Sequence, residues 1–206
     1  MTRIKICGIT SIKDAVEASK LGIDMLGFVF YEKSKRCVSP KLVKAITNEL
    51  TASVDRVGVF VDERPEEVLA IAADCGLTML QFHGDETPEY CAAFKDGFKI
   101  IKAFRIKDRQ SLKKTSEYDV DLFLLDAYSP EMAGGTGETF DWKVLNDFEF
   151  LKPIILSGGL TPQNIAQAIE EVSPYGVDVS TGVESSPGKK DVNLMSQFVM
   201  NVRKIG

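Results

Sequence analysis

The chain has 206 residues, 44% of them hydrophobic and 27% charged, with a formal net charge of −5. That is enough for one domain with a substantial core, too short for two comfortable ones, and it has neither the polarity of a disordered chain nor the composition of a membrane one. The acidic balance argues against general nucleic-acid binding, which needs a basic face, but leaves room for a small anionic substrate held by a few cations and helix N-termini.

Short apolar runs alternate with amphipathic segments from one end to the other. Arg3 to Cys7 reads as a strand, and Ile12 to Leu21 as a helix with Thr10 or Ser11 as its N-cap. Met25 to Phe30 is a second strand, after which Ser39-Pro40 opens a helix with serine at the cap and proline in the first turn. Arg56 to Val61 is the third strand, followed by a helix opening at Arg64-Pro65-Glu66. Met79 to Phe82 is the fourth, followed by Thr87-Pro88-Glu89. Lys99 to Phe104 is the fifth strand, with Asp108 as the cap of the segment after it, and Asp121 to Leu125 is the sixth. A longer connection reaches a helix near Asp141-Trp142. Pro153 to Leu156 is the seventh strand, with a helix opened by Thr161-Pro162. Val177 to Val179 is the eighth, and Asn193 to Ile205 the last long helix.

Strands apolar on both faces suit a parallel sheet covered by helices. Eight strand–helix pairs point to a closed barrel: an α/β chain forming a single (β/α)8 TIM barrel over residues 1–206, near the lower limit of roughly 200 residues for that fold. The competing arrangement is an open doubly wound sheet, but no Gly-x-Gly-x-x-Gly follows the first strand. No apolar run approaches the ~20 residues that span a bilayer. The start, Met1-Thr2-Arg3-Ile4-Lys5, lacks an apolar signal region, so the expected location is cytoplasmic with no membrane partner. Four cysteines, at positions 7, 37, 75 and 91, form no C-x-x-C pair and are expected to be reduced. With His83 as the only histidine, a zinc site is not expected.

Barrel active sites lie at the C-terminal ends of the strands, which turns the topology into a set of candidates. Strand 7 runs into Gly158-Gly159 and strand 8 into Ser180-Thr181-Gly182. These are the loops where barrels often bind phosphate, with Ser185-Ser186-Pro187-Gly188 as a candidate start of the short extra helix. The plainer reading of the glycines is as turn formers. Cys7 ends strand 1 and Asp126 ends strand 6, an arrangement suited to proton abstraction with acid assistance. Taken alone, Cys7 reads rather as a small buried hydrophobe and Asp126 as a cap or loop residue. A free thiol has a pKa of about 8.5, so a neutral-pH base needs its thiolate stabilised. Arg36, in the basic loop Lys33-Ser34-Lys35-Arg36, is either solvated surface or a fork for a carboxylate. The segment Ala133-Gly134-Gly135-Thr136-Gly137 reads as a lid or as a turn.

The strand-end motifs resemble those of the phosphoribosylanthranilate isomerase family. They are Lys5-Ile6-Cys7-Gly8-Ile9-Thr10, Gly27-Phe28-Val29-Phe30 with Ser34-Lys35-Arg36, and Val57-Gly58-Val59-Phe60-Val61. Further along come Leu80-Gln81-Phe82-His83-Gly84, Gly134-Gly135-Thr136-Gly137 with Phe140-Asp141-Trp142, and Leu156-Ser157-Gly158-Gly159-Leu160. Val177-Asp178-Val179-Ser180-Thr181-Gly182-Val183-Glu184 completes the set. Phe82 and Thr181 are small departures from the pattern. The resemblance implies an Amadori rearrangement in tryptophan biosynthesis, turning N-(5-phosphoribosyl)anthranilate into 1-(2-carboxyphenylamino)-1-deoxyribulose 5-phosphate. It implies Asp126 as the acid that opens the sugar ring and Cys7 as the base at C2. Arg36 would hold the anthranilate carboxylate, and Gly158, Gly159, Ser180, Thr181 and Gly182 the phosphate. His83 and Asp178 would line the pocket. No metal or organic cofactor is implied, and the expected partner is the small phosphosugar–anthranilate substrate, with a monomer favoured over a homodimer. Two other readings predict different chemistry: a Schiff-base aldolase using Lys102 as nucleophile, and an inactive phosphate-binding regulator. A bifunctional isomerase serving histidine biosynthesis would carry a carboxylate where Cys7 stands.

Overall fold

A computed structural model describes residues 1–127 and 141–205. Eight parallel strands close in sequence order into a barrel: β1 Arg3–Cys7, β2 Met25–Val29, β3 Asp55–Phe60, β4 Met79–Phe82, β5 Lys99–Ile106, β6 Leu122–Ala127, β7 Ile154–Leu156 and β8 Gly176–Val179. Closure is made by β1 against β8, pairing Arg3 with Gly176 and Lys5 with Asp178. The barrel agrees with the expected architecture, and the strand limits move by one or two residues.

The helices are α1 Ile12–Lys20, α2 Pro40–Glu49, α3 Pro65–Cys75, α4 Pro88–Ala92, α5 Arg109–Leu112, α6 Ile165–Val172 and α7 Val192–Ile205. Their starts follow local chemistry. Ser11 accepts the Asp14 amide at the head of α1, and Ser39, with Pro40 behind it, caps α2. Asp108 and Ser111 form a reciprocal capping box on α5, which lasts one turn before a 3-10 stretch at Lys113–Glu117. Before β7 the helix expected near Asp141-Trp142 is a 3-10 turn, Trp142–Leu145.

Strand alternation divides the core into two layers. Ile4, Ile6, Leu26, Phe28, Leu80 and Leu125 point outward into the helices. Met25, Val57, Met79, Ile101, Leu124 and Ile155 point inward and fill the barrel as a separate cluster. Each such buried aliphatic side chain contributes roughly 1.5–3 kcal/mol. This plug occupies the lower barrel, so the polar inward residues gather at the C-terminal mouth.

The extra helix expected from Ser185 onward does not form. A 3-10 turn at Thr181–Val183 leads instead into an antiparallel hairpin, β9 Glu184–Ser186 and β10 Lys189–Lys190. The reason lies in Pro187-Gly188: proline presets the first corner of a type II turn and Gly188, at φ 81°, supplies the left-handed second. The hairpin carries Lys190 back to the barrel mouth. Among the described residues no helix is long and apolar enough to cross a membrane.

Candidate active site

One pocket at the C-terminal mouth brings together nearly all of the sequence-derived candidates. Cys7, Arg36, His83, Asp126, Gly158, Gly159, Asp178, Ser180 and Thr181 all line it. Gly182 stands just behind, so close to the Leu160 carbonyl that a Cβ there would lie 1.9 Å from its oxygen. The Ala133–Gly137 segment lies outside the described residues.

On one wall, Cys7 ends β1 at 8% exposure. Two residues earlier on the same inward face is Lys5, wholly buried, with Nζ 3.0 Å from Asp178 Oδ1. The second Asp178 oxygen accepts a hydrogen bond from Ser157 Oγ at 3.2 Å. Burial pushes the Cys7 thiol above its ordinary value and Asp178 adds to this, while Lys5 and Lys190 pull it back. Burial works against the Lys5 ammonium, but Asp178 and Cys7 outweigh it and hold Lys5 above its ordinary value.

A second ionic group flanks this wall. Arg36 donates through Nε and Nη2 to the two oxygens of Glu184, at 2.7 and 2.8 Å. Lys190 Nζ donates to Glu184 Oε1 at 2.9 Å and to the Ser180 carbonyl at 3.0 Å. The cations keep the Glu184 carboxyl below its usual range against the opposing effect of burial. Arg36 is therefore neither plain surface nor an unpaired fork. One edge of its guanidinium is anchored, and a planar group with five N–H donors still has its other edge to offer a ligand.

Opposite stands Asp126, which ends β6 at 5% exposure. Its Oδ1 accepts the Ala127 amide at 3.0 Å, and its Oδ2 is 3.2 Å from His83 Nε2. The latter is a close polar contact out of line for a hydrogen bond, and Nε2 has no hydrogen-bond partner among the described residues. His83 Nδ1 lies 2.9 Å from the Gln81 amide nitrogen. With that assignment of the amide, the imidazole carries its hydrogen on Nε2, facing the carboxylate.

Lys102 is not at the disposal of a substrate. Its Nζ donates to the Gly84 carbonyl at 2.8 Å and to Glu86 Oε2 at 2.7 Å, with the Phe82 carbonyl at 3.4 Å. Among the described residues no group of three or more His, Cys, Asp or Glu side chains is placed to hold a metal ion. Sequence reasoning missed Lys5, Lys190 and the ion-pair role of Glu184. For Lys5 a signal existed: in Arg3-Ile4-Lys5-Ile6-Cys7 the strand period of two puts the lysine on the face of the cysteine.

Comparison with known proteins gives a consistent set of relatives. The family model for N-(5'phosphoribosyl)anthranilate (PRA) isomerase matches residues 4–201. The N-(5'-phosphoribosyl)anthranilate isomerase of Geobacter sp. (strain M21) is 46% identical over 205 residues, covering 100% of both chains. The crystal structure of the phosphoribosyl anthranilate isomerase of Thermotoga maritima superposes with a TM-score of 0.93 at 40% identity, covering 99% of this chain and 100% of that one. A phosphoribosyl anthranilate isomerase structure in complex with reduced 1-(o-carboxyphenylamino)-1-deoxyribulose 5-phosphate superposes at 0.89, with 39% identity and the same coverage.

Proposed function

The chain belongs to the N-(5'-phosphoribosyl)anthranilate isomerase family, enzymes of tryptophan biosynthesis that convert an aldose to a ketose, and we propose that it does so by acid–base catalysis, with Asp126 as acid and Cys7 as base. Asp126 donates a proton to the furanose ring oxygen of N-(5-phosphoribosyl)anthranilate as the C1–O bond breaks, leaving an open-chain Schiff base between C1 and the anthranilate nitrogen. The Cys7 thiolate then takes the C2 proton. The C2–H electron pair becomes the C1=C2 bond, and the C1=N pair returns to nitrogen, giving an enolamine. Protonation at C1 and loss of the C2 hydroxyl proton give the ketone, 1-(2-carboxyphenylamino)-1-deoxyribulose 5-phosphate. Atoms balance without a cofactor or redox partner.

The remaining residues serve the two anionic ends of the substrate. Gly158, Gly159, Ser180, Thr181 and Gly182 receive the phosphate, in the two loops where barrels commonly bind one. Arg36 offers its free edge to the anthranilate carboxylate. Asp178, tied to Lys5 and Ser157, lines the wall beside Cys7, and His83 lines the wall beside Asp126. We propose that one chain suffices as the working unit and that it acts in the cytoplasm. The barrel closes on itself through β1 and β8 and leaves no unpaired barrel edge for a second copy to cover, which supports the first statement.

The observation that carries this reading is that Cys7 and Asp126, on different strands, open into one pocket whose walls also hold an anchored arginine and the glycine loops after β7 and β8. A fluorescence assay with phosphoribosylanthranilate tests it. Cys7→Ser and Asp126→Asn should each lose at least ~100-fold in kcat, the usual contribution of a positioned acid or base. A near-normal rate in Cys7→Ser overturns the base assignment.

A further inference from the structure

We propose that Lys5 is the positioning residue that makes Cys7 usable as a base: its buried ammonium, oriented by Asp178, faces the sulfur inside the barrel and stabilises the thiolate. This rests on the reading of Cys7 as the base.

A lysine wholly buried in a barrel core is costly, because an ammonium leaves water at a penalty that only excellent pairing offsets. Lys5 stands in a strand whose other buried members are Ile4, Ile6 and Cys7. Asp178 answers part of the cost, 3.0 Å from Nζ across the β1–β8 seam. Yet a plain apolar pair at those positions would fill the space without any penalty, and Ile155 and Met25 show that the barrel interior accepts such residues. An ammonium has three donors, and Asp178 is the one hydrogen-bond acceptor it reaches by distance and angle among the described residues.

Gly27 on β2 shows where the ammonium also points. A Cβ there would lie 2.7 Å from Cys7 Sγ and 3.0 Å from Lys5 Nζ. Both atoms border the same point beside Gly27, so sulfur and nitrogen can be no farther apart than those two distances added. An opposite charge at ~4–6 Å typically lowers the pKa of an acid by about 1–3. Lys5 thus works against the burial that pushes the Cys7 thiol up.

The other charged groups facing Cys7 are less suited to this task. Lys190 and Arg36 also act on it, but both are committed to Glu184, and burial draws the Lys190 ammonium toward its neutral form. Asp178 is the one anion on this wall that acts on Cys7, and it raises the thiol. Lys5 and Asp178 therefore push in opposite directions. Asp178 holds the ammonium in place while Lys5 carries the favourable effect. Asp126 and His83 lie on the far wall of the same pocket.

That opposition gives a test a merely structural pair would fail. In a Cys37→Ser background, the pH dependence of Cys7 alkylation by iodoacetamide is followed by site-resolved mass spectrometry, alongside the acid limb of kcat/KM. Lys5→Met should move both midpoints up by about 1 or more, so that kcat/KM at pH 7 falls at least ~10-fold and recovers at higher pH. Asp178→Asn, which removes the opposing carboxylate together with the anchor of the ammonium, should move both midpoints up by less than Lys5→Met does, or down. Because Lys5→Met alone leaves a buried carboxylate unpaired, the double variant Lys5→Met/Asp178→Asn keeps the test open if the single one does not fold. Measured against Asp178→Asn, it should show the same upward shift. An unchanged alkylation midpoint in the folded double variant, or an upward shift in Asp178→Asn as large as that in Lys5→Met, overturns the proposal. The alkylation midpoint reads the Lys5–Cys7 coupling without turnover. Its failure is thereby distinguishable from failure of the base assignment, which Cys7→Ser kinetics decides.

Discussion

Gly158→Ala separates what the mouth of the barrel needs in stability from what it needs in geometry. Gly158 sits at φ 86°, just past β7. A methyl group there would lie 2.5 Å from the Ala127 amide nitrogen, 2.7 Å from Ala127 Cβ and 3.0 Å from Asp126 Oδ1. The first of these neighbours is backbone and the second is fixed to it, so neither can swing aside. The end of β6 must shift, carrying Asp126 with it. The left-handed conformation costs an L-residue about 1–2 kcal/mol, and overpacking adds roughly 1–3 kcal/mol. Gly76→Ala supplies the control, since Gly76 has φ 59° at the end of α3 with nothing within 4 Å of its Cβ position. That variant should lose about 1–2 kcal/mol, or roughly 2–8 °C in Tm at ~2–4 °C per kcal/mol for a chain of this size, and keep its kcat. Gly158→Ala should lose about twice as much in Tm. Its kcat should also fall by up to ~100-fold, the scale of a 1 Å misplacement of a reacting group. Thermal unfolding and the fluorescence assay measure both. A Gly158→Ala enzyme with the Tm of Gly76→Ala and the kcat of wild type would refute the argument that β7 positions the acid through this contact.

Two further outcomes concern the charged and thiol groups. Glu184 has its carboxyl held below the ordinary value of 4.5 by Arg36 and Lys190, so its stabilisation is present above about pH 4.5 and lost as the pH falls through the depressed native value. Glu184→Gln should therefore flatten the acid-unfolding profile below about pH 4.5 and raise KM with little change in kcat, because Arg36 loses its anchor; parallel profiles would refute this. Among the thiols, burial pushes Cys75 up to about 11 and Cys91 up to about 12, while Cys37 is exposed. A thiol reagent at pH 8 should label Cys37 first, Cys7 more slowly and not at all under saturating substrate analogue, and Cys75 and Cys91 only on unfolding; rapid labelling of Cys75 would contradict the burial argument.

The sequence carried the frame of the site and not its wiring, for a physical reason. A parallel barrel puts chemistry at strand ends, and strands such as Ile154–Leu156 announce themselves by an apolar run between turn residues. The places of Cys7 and Asp126 follow from counting. Pairings across long stretches of chain do not. Asp178 meets Lys5 only because β8 closes against β1, and Arg36 meets Glu184 only because a hairpin returns over the mouth. That hairpin was itself legible in Pro187-Gly188, a turn pair that a helix start after Ser185 would have had to override. Lys5 was overlooked because a lysine in a strand is ordinarily assigned to solvent; its alternation with Ile4 and Ile6 pointed inward instead.

Lys102 shows how a residue suited by type to a different reaction is taken out of contention by its surroundings. A Schiff-base nucleophile must present a neutral amine with an open line of approach. Lys102 is 2% exposed, and its three N–H donors are spent on Gly84 and Phe82 carbonyls and on the Glu86 carboxylate. Glu86 is itself buried and also accepts the amides of Asp62 and Gly84. The pair therefore ties the ends of β3 and β4 to β5, one residue from His83. Freeing the amine would strand the Glu86 charge in the core, a loss of about 3–5 kcal/mol when one partner of a buried pair is removed. Borohydride added during turnover should accordingly leave Lys102 unmodified. Lys102→Met should act first on stability, with the loss of kcat following from displacement of the β4 end and not from loss of a nucleophile. A covalent adduct on Lys102 would overturn this account and reopen the aldolase chemistry that its residue type and strand position suggest.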